Sequence, residues 1–252
     1  MKWVLRIFPR SFLIRLSLIF QPLLRWYFNG NQFEDPIDGS KYKKFLPYGY
    51  GRELRQNALC PGTLSLERHR LLWLYLKRET DFFKHKLKVL HLAPEQVFYH
   101  YFKQFDHWDY TTVDLNSPIA DIKADVCNLP FEKNSFNLIL CNHVLEHIPD
   151  DRQAMSELFR VLKKGGTMIA QVPLDQKRTK TFEDKSILKS SDRAKAFGQY
   201  DHVRIYGNDF YSRLQSVGFK TNDYDLFPKL KSSEIKYYGL KYEKIPIAIK
   251  SI

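Results

Sequence analysis

The chain has 252 residues, 44% of them hydrophobic and 27% charged, which excludes a disordered protein and suits one large domain with a small appendage. Its 40 Lys and Arg residues outnumber its 28 Asp and Glu residues, and the net charge of +12 favours an anionic partner. Three cysteines, Cys60, Cys127 and Cys141, are too few for a disulfide framework and favour a reducing compartment, so we expect a cytoplasmic protein.

The first 63 residues predict a basic N-terminal extension ahead of a main domain over residues 64–252. Residues 1–60 contain ten basic side chains against four acidic ones. The opening stretch, "WVLRIFPRSFLIRLSLIFQPLLRWYF", is interrupted by Arg15, so its apolar run is shorter than the roughly 18 residues of a membrane-spanning helix. No small-residue cleavage site follows, which argues against a secretory signal.

A helix through residues 1–28 would be amphipathic, with Trp, Phe and Leu opposite a basic and polar face. That face consists of Lys2, Arg6, Arg10, Ser17, Gln21 and Arg25. Two interpretations remain open: the helix lies in the interface of an anionic membrane, or it packs its apolar side against the main domain. In both, Pro9 and Pro22 are expected to break the helix.

Strands and helices alternate through the main domain. A helix is predicted from Leu64 in "LSLERHRLLWLYLKRETDFF", then a strand over residues 88–92 and a helix over residues 99–105. Further strands are predicted in "DYTTVDL", ending at Asp114, in "IKADV", ending at Asp125, and in the apolar run 136–140. A helix ending at Gly165 and Gly166 precedes the strand "TMIAQVP", the helix "NDFYSRLQSVGF" and the strands "KTNDYDLF" and "IPIAIK". This alternation is typical of a parallel sheet with helical crossovers.

Polar side chains stand where the predicted strands end, at the edge where a parallel sheet binds its ligand. Asp114 follows the first turn by about 20 residues, where an acid can accept both ribose hydroxyls of a nucleoside. Asp125 can accept from an exocyclic adenine amine while Val126 covers the ring. Asn142 and His143 end the fourth strand and are expected to flank the reactive end of the bound molecule.

Residues 85–227 resemble a class I S-adenosylmethionine-dependent methyltransferase of the broad type 11 group. The resemblance rests on the motifs "VLHLAPE", "TTVDL", "ADVCNLPFEKNSFNLILCNHVLEHI" and "ELFRVLKKGGTMIAQVP". It implies a Rossmann-like α/β fold with a mostly parallel seven-stranded sheet and helices on both faces, S-adenosyl-L-methionine as the cofactor, and methyl transfer. By motif position, Asp114 with Leu115 resembles the ribose-binding acid and its neighbour, and Asp125 with Val126 resembles the adenine-binding acid and its neighbour.

The turn after the first strand, "HLAPE", contains no glycine, although nucleotide-binding turns usually do. A dinucleotide brings a bulky pyrophosphate to this turn, whereas S-adenosylmethionine brings a zwitterionic methionine tail. Small Ala93 permits close approach, Pro94 suits a helix start, and Glu95 can hold the methionine ammonium. His91 stands where the family usually has an acid. We therefore interpret this turn, with His91, Ala93 and Glu95, as a variant cofactor site.

The N-terminal extension resembles a zinc knuckle that has lost most of its ligands. "DPID" and "CPGT" have the spacing of two C-x-x-C pairs, and related methyltransferases resemble this chain in the stretch "GSKYKKFLPYGYGRELRQNALCP". Cys60 alone remains of the four sulfurs, and one thiolate with two carboxylates makes a poor structural zinc site. The knuckle shape is therefore expected to persist without metal.

Other functions remain open. "HVLEH", from His143 to His147, matches a zinc-peptidase signature, but that chemistry needs both histidines on one continuing helix, which Pro149 interrupts. His147 is therefore expected to be structural, and no metal ligand is predicted. A non-catalytic adenosylmethionine-binding or scaffold protein is favoured by His91 and by the missing glycines. A nucleic-acid methyltransferase is favoured by the net charge, but the sequence contains no nucleic-acid-binding module, so no nucleic-acid partner is expected.

The candidate catalytic residue is His202, the one histidine of "QYDHVRIYG", a segment expected to fold over the strand ends. Histidine titrates near neutral pH, so His202 can serve as a general base or as a group that binds the acceptor. The alternative is that His202 and Arg204 only anchor the segment to the sheet. The methyl acceptor is expected to be a small molecule, a lipid or a glycan.

Overall fold

A computed structural model of the chain describes residues 10–49 and 54–252. The predicted basic positions Lys2 and Arg6, together with Pro9, lie outside the described residues. Compactness divides the chain into two units, which are described separately below. The first comprises residues up to His85 with 96–101 and 225–244, and the second comprises 86–95, 102–224 and 245–252. The domain boundary predicted after residue 63 stays a prediction.

The second unit is built on a seven-stranded sheet. Its strands are β5 (Leu87–Leu92), β6 (Trp108–Asp114), β7 (Ile122–Lys123), β8 (Phe136–Cys141), β9 (Leu162–Ile169), β12 (Phe219–Tyr224) and β13 (Ile245–Lys250). Across the sheet they lie in the order β12-β13-β9-β8-β5-β6-β7. Strands β5 to β9 pair in parallel, whereas β13 runs antiparallel to both β9 and β12. The predicted fold, a mostly parallel seven-stranded sheet, is confirmed.

Burial explains which strands are central. In β5 the last four residues are buried, and in β8 only Asn137 is not, as expected for strands covered on both faces. The helix α4 (Asp151–Val161) packs on this core through its buried apolar side chains. These are Ala154, Met155, Leu158 and Val161, which recur at helical spacing.

Outside the sheet, the elements of the second unit are short. Helices α5 (Ser190–Phe197) and α6 (Phe210–Ser216) follow β9 along the chain. Helix α3 (Gln96–Phe102) follows β5 along the chain, but all of it except Phe102 belongs to the first unit. The two-residue strands β10 (Phe182–Glu183) and β11 (Arg204–Ile205) pair in antiparallel fashion and hold the long segment after β9. Helix α3 therefore begins earlier and ends earlier than the predicted range of 99–105.

The boundary between α4 and β9 differs from the prediction that Gly165 and Gly166 cap a helix. The helix ends at Val161, and β9 begins at Leu162, so both glycines lie inside the strand. Leu162 is extended and fully buried, which turns the chain into the sheet before the glycines are reached. Gly165 has φ +74°, and the pairing of β8 with β9 is irregular between residues 162 and 167. A strand irregularity with positive φ, rather than a helix end, therefore requires this glycine.

Besides most of α3, the described part of the first unit contains the N-terminal helix, two small hairpins and two further α-helices. These are α1 (Arg10–Tyr27), β1 (Asn29–Glu34) with β2 (Lys41–Tyr42), β3 (Leu46–Tyr48) with β4 (Arg55–Leu59), α2 (Glu67–Arg78) and α7 (Ser232–Tyr237). Buried Asp35, in the turn after β1, accepts hydrogen bonds from the hydroxyls of Thr63 and of Ser65, the latter at 2.6 Å. Hydrogen bonds thus join the two turns predicted to form a knuckle, and its lack of metal stays a prediction.

Helix α1 continues through Pro22, contrary to the prediction that this proline breaks it. Proline removes only one helical hydrogen bond, and contacts on the next turn hold the helical path. Leu24 packs against the small core around Phe28, Tyr42 and Phe45, and the guanidinium of Arg25 lies 2.7 Å from Asp38. Among the helices of the described ranges, none is both long enough and apolar enough to cross a membrane.

Candidate functional site

The carboxyl ends of β5, β6 and β8 lie at one edge of the sheet. In the register, Leu92 pairs with Val113 on one side and with Cys141 on the other. The residues that follow these three positions therefore meet at that edge, where parallel sheets bind their ligands.

The turn after β5 takes a backbone conformation that glycine adopts most easily. Ala93 has φ +47°, and its N–H donates to the carbonyl of Val113 at 2.8 Å. A left-handed conformation costs an L-residue roughly 1–2 kcal/mol. The chain thus keeps the path of a glycine turn with the smallest side chain that is not glycine.

His91 lies beneath this turn, fully buried, with both ring nitrogens engaged. Nδ1 lies 2.7 Å from the hydroxyl of Tyr110, and Nε2 lies 2.6 Å from Oε2 of Glu95. His91 therefore orients the carboxylate of Glu95 at the turn.

Asp114 ends β6 and caps the turn that follows. Its Oδ1 accepts from the backbone N–H groups of Asn116 at 2.7 Å and Ser117 at 2.6 Å. In the part of the chain that the structure describes, no protein group donates to Oδ2. The neighbouring Leu115 is 54% exposed and offers an apolar surface beside the carboxylate.

Asp125 lies two residues beyond the end of β7, not at the end of a strand as predicted. The strand stops at Lys123 because it pairs with β6 over two residues only. Oδ1 of the exposed Asp125 accepts from the N–H of Cys127 at 2.8 Å. Val126 is buried and packs in the main core.

Beyond β8 and β9, two buried amide side chains lack protein partners. Asn142 is 2% exposed and Gln171 is 1% exposed, and neither amide oxygen nor amide nitrogen of these residues is hydrogen-bonded in the described chain. His143, which follows Asn142, has φ +53°, and its backbone N–H donates to the backbone carbonyl of Gln171 at 2.8 Å. Buried amides are rarely left unpaired, so this edge suits a polar ligand.

A cluster of titratable side chains lies next to these amides. The 3-10 turn Leu145–His147 follows β8 and contains Glu146, which is 1% exposed. Burial raises the pKa of Glu146, but the hydrogen bond from His143, with Nδ1 at 3.2 Å, and the nearby rings outweigh it, so the pKa is lowered. The rings of His147 and His202 meet edge to face at 4.7 Å, and burial lowers the pKa of His202.

The segment around β11 is anchored to this turn by Arg204. Its guanidinium donates to the carbonyls of Leu145, Ile148 and Pro149, and it pairs with Glu183 at 2.9 Å. The N–H of Val203 donates to the carbonyl of Glu146 at 2.9 Å. Arg204 is thus an anchor, and the anchored segment carries His202 to Glu146.

Residues 90–170 match the family model described as a methyltransferase domain. This stretch, about a third of the chain, is therefore similar to a methyltransferase domain. S-adenosyl-L-methionine is the cofactor that this domain implies, as the sequence predicts.

Relatives of the methyltransferase domain are similar over part of their length. A protein of Methanocaldococcus jannaschii is 34% identical over 92 residues, which are 36% of this chain and 40% of that protein. A demethylmenaquinone methyltransferase of Staphylococcus saprophyticus is 31% identical over 119 residues, 47% of this chain and 49% of the enzyme. The chain therefore spans half or less of the length of these relatives.

The fold of the methyltransferase domain also has solved counterparts. The crystal structure of the [4+2]-cyclase SpnF aligns with a TM-score of 0.52 at 13% identity, over 95% of this chain and 97% of that one. At this identity the likeness concerns the fold alone.

The cofactor fits the polar groups at the sheet edge of the methyltransferase domain. Glu95 offers a carboxylate for an ammonium, Oδ2 of Asp114 offers an acceptor for a hydroxyl, and exposed Leu115 offers an apolar surface for a ring. Sequence reasoning missed Glu146 and Gln171. Gln171 lies just beyond the end of β9, so the rule that located Asn142 after β8 applies to it equally.

Proposed function

We propose that this chain transfers the methyl group of S-adenosyl-L-methionine to a small molecule, a lipid or a glycan. One observation carries the proposal: carboxylates suited to the cofactor and buried unpaired polar groups suited to an acceptor adjoin at one sheet edge. Similarity to a demethylmenaquinone methyltransferase supports a small-molecule acceptor.

Each predicted cofactor residue has a role in this proposal. Glu95, oriented by His91, binds the methionine ammonium, and the backbone at Ala93 approaches the tail closely. Asp114 accepts from the ribose hydroxyls through Oδ2, and Leu115 covers a face of the nucleoside. Asp125 accepts from the adenine amine beside Val126, and Asn142 with His143 borders the reactive sulfonium.

Methyl transfer needs little activation from the protein, because the sulfonium releases a neutral thioether, which is a good leaving group. The protein must align the acceptor with the methyl group and remove a proton from a hydroxyl or amine acceptor. We propose that His202 provides this contact. Its Nδ1 lies 3.2 Å from the carbonyl of Phe197, which can only accept, so in the neutral ring Nδ1 carries the proton and Nε2 has the lone pair; burial, which lowers the pKa of His202, favours the neutral ring.

The alternative is a protein that binds the cofactor without catalysis. Its support is the turn without glycine, with His91 in place of an acid. A nucleic-acid methyltransferase has the net charge of +12 in its favour.

Calorimetric titration with S-adenosyl-L-methionine, followed by turnover with a labelled methyl donor in a host lysate, tests the proposal. We expect saturable binding and labelled small molecules or lipids. Binding without any labelled product would favour the scaffold protein, and the absence of binding would overturn the cofactor assignment. His202→Ala is expected to reduce turnover about 10²- to 10⁴-fold while cofactor affinity stays unchanged.

We also propose that the protein is cytoplasmic and that residues 1–28 hold it against an anionic membrane. The end of α1 exposes Ile19, Phe20, Leu23, Trp26 and Tyr27, with Trp26 79% exposed. Basic groups adjoin this apolar surface: the ammonium of Lys43 lies 4.5 Å from the ring centre of Tyr27. A cleft of about 460 Å³ beside it is lined by Pro22, Arg25, Trp26, Asn29, Ser40 and Lys41. Apolar side chains ringed by cations are typical of interfacial helices.

A double substitution of exposed side chains, Leu23→Ser with Trp26→Ser, tests this contact without touching the core around Phe28. We expect the unmodified protein to sediment with vesicles of phosphatidylcholine and phosphatidylglycerol, and to be released by salt because surface attraction is screened. The variant should stay in the supernatant with an unchanged melting temperature. Equal sedimentation of both proteins would refute the membrane contact of this helix and favour the alternative, in which the helix only packs on the protein.

A further inference from the structure

Glu146, His147 and His202 form a group with the composition of a metal site. Each offers one ligand atom, and these atoms all lie within 4.8 Å of one another. Within residues 10–49 and 54–252, no other group of three His, Cys, Asp or Glu side chains has its ligand atoms so close. All three belong to the second compact unit.

In both histidines of the group, Nδ1 faces a backbone carbonyl. Nδ1 of His147 lies 3.3 Å from the carbonyl of Asp201, and Nδ1 of His202 lies 3.2 Å from the carbonyl of Phe197. A carbonyl oxygen only accepts, so in the neutral ring Nδ1 carries the hydrogen and Nε2 has the lone pair that a metal ion needs. Histidine ligands of metals usually donate their second ring N–H to a backbone carbonyl or carboxylate in this way.

The carboxylate of Glu146 gives an independent indication that this group binds a cation. Its Oε1 accepts from Nδ1 of His143, but its buried Oε2 has no hydrogen-bond partner in the described chain. The whole side chain is 1% exposed, so solvent does not compensate the charge. An unpaired carboxylate oxygen in such a place is costly unless a proton or a cation is bound there.

We propose that Glu146, His147 and His202 bind one divalent transition-metal ion. Two imidazoles and a carboxylate suit Zn²⁺, Mn²⁺, Fe²⁺ or Co²⁺ rather than Ca²⁺ or Mg²⁺, which prefer oxygen ligands. Ligands at about 2.1 Å from one ion are about 3 to 4 Å apart, so separations below 4.8 Å need only small side-chain adjustments. Three protein ligands leave positions open for water or substrate, as in catalytic metal sites.

The location of the ion assigns it a role that rests on the proposed function. The site adjoins Asn142 and His143, which border the proposed reactive end of the cofactor. An acceptor hydroxyl bound to the ion has a lowered pKa and loses its proton to solvent. Its oxygen then forms the new bond to the methyl carbon as the carbon–sulfur bond breaks, leaving a neutral thioether. With the ion bound, His202 acts on the acceptor through the metal instead of by direct contact, and the acceptor atom is an oxygen.

Metal binding is tested on the full-length protein after removal of metals with a chelator. Titration with Co²⁺, followed by visible absorption and calorimetry, should show one ion per chain. Glu146→Gln, which keeps an oxygen for His143, and His202→Asn should each weaken Co²⁺ binding at least about tenfold. The exposed His100→Ala is the matched control and should bind Co²⁺ as the unmodified protein does.

Binding of S-adenosyl-L-methionine, measured on the same samples, separates this proposal from the proposed function. Saturable Co²⁺ binding at one ion per chain that is lost in both site variants supports the site, whatever the cofactor affinity. If the unmodified protein binds no Co²⁺ while it binds the cofactor, the metal site is wrong and the methyltransferase proposal stands. Equal Co²⁺ affinity of the unmodified protein and both site variants would also overturn the site.

Discussion

Asp114→Asn tests the ribose assignment while sparing the turn. In the structure Oδ1 accepts both backbone N–H groups of the turn, at 2.7 and 2.6 Å, and no donor within residues 10–49 and 54–252 is hydrogen-bonded to Oδ2. An asparagine can keep its oxygen at the Oδ1 position, but it places an NH₂ group where Oδ2 accepts a ribose hydroxyl. At least one charge-assisted hydrogen bond of about 1.5–3 kcal/mol is lost, which raises the Kd for the cofactor roughly 10- to 150-fold.

Calorimetric titration with S-adenosyl-L-methionine and with its demethylated product measures this change, since both contain the ribose. Thermal unfolding without ligand should give the same melting temperature as the unmodified protein, because the turn is retained. Asp109→Asn is the control: this exposed residue lies on β6 as well, near the opposite end of the strand. Cofactor affinity of Asp114→Asn equal to that of the control would refute the ribose assignment.

Three further substitutions test the energetics of the fold. Ala93→Gly removes the strain of an alanine with a left-handed backbone, but the glycine has greater freedom in the unfolded chain, which offsets part of the gain. The free energy of unfolding in urea should therefore stay equal or rise by up to about 1 kcal/mol. A clear decrease would contradict the strain at Ala93. The hydrogen bond from Arg160 lowers the pKa of Glu157, so its contribution is present above the ordinary glutamate pKa and is lost as the pH falls through the lowered value. Glu157→Gln should therefore lower the melting temperature near pH 7 and match the unmodified protein in strong acid, and an equal loss at both would contradict this. Arg70→Lys removes a buried fork that donates to four backbone carbonyls and should cost more than about 2 kcal/mol in urea unfolding, whereas the partly exposed control Arg78→Lys should cost less than about 1 kcal/mol.

The strands of the sheet could be predicted because their signal is local. A continuous apolar run such as 136–140 has few alternatives to a strand buried on both faces, and Asp114 marks the observed end of β6. The end of α4 was missed because Gly165 and Gly166 are also compatible with a helix cap. Pairing of β9 with β8, a contact between distant residues, decides the boundary.

The position of the candidate site could be predicted from the sequence, but the contacts between its side chains could not. Polar residues after the strands indicate the edge, but no spacing in the sequence shows that His91 pairs with Glu95 or that Ala93 is left-handed. The cluster around Glu146 depends on a segment more than 50 residues later, which Arg204 draws to the turn. The motif "HVLEH" carried a signal for it, but it was set aside because zinc peptidases need a continuing helix, whereas here a 3-10 turn presents Glu146 and His147.

The contacts of Arg70 have a consequence for how the chain folds during its synthesis on the ribosome. Its guanidinium binds the carbonyls of Tyr238 and Gly239, which are 168 and 169 residues further along the chain. At a synthesis rate of about 5–20 residues per second, roughly 8–34 s pass between the emergence of the arginine and that of these carbonyls. During that interval a charged side chain destined for full burial must remain hydrated. The elements around Arg70 are therefore made well before their contacts can be completed, and their final packing waits for residues 238 and 239.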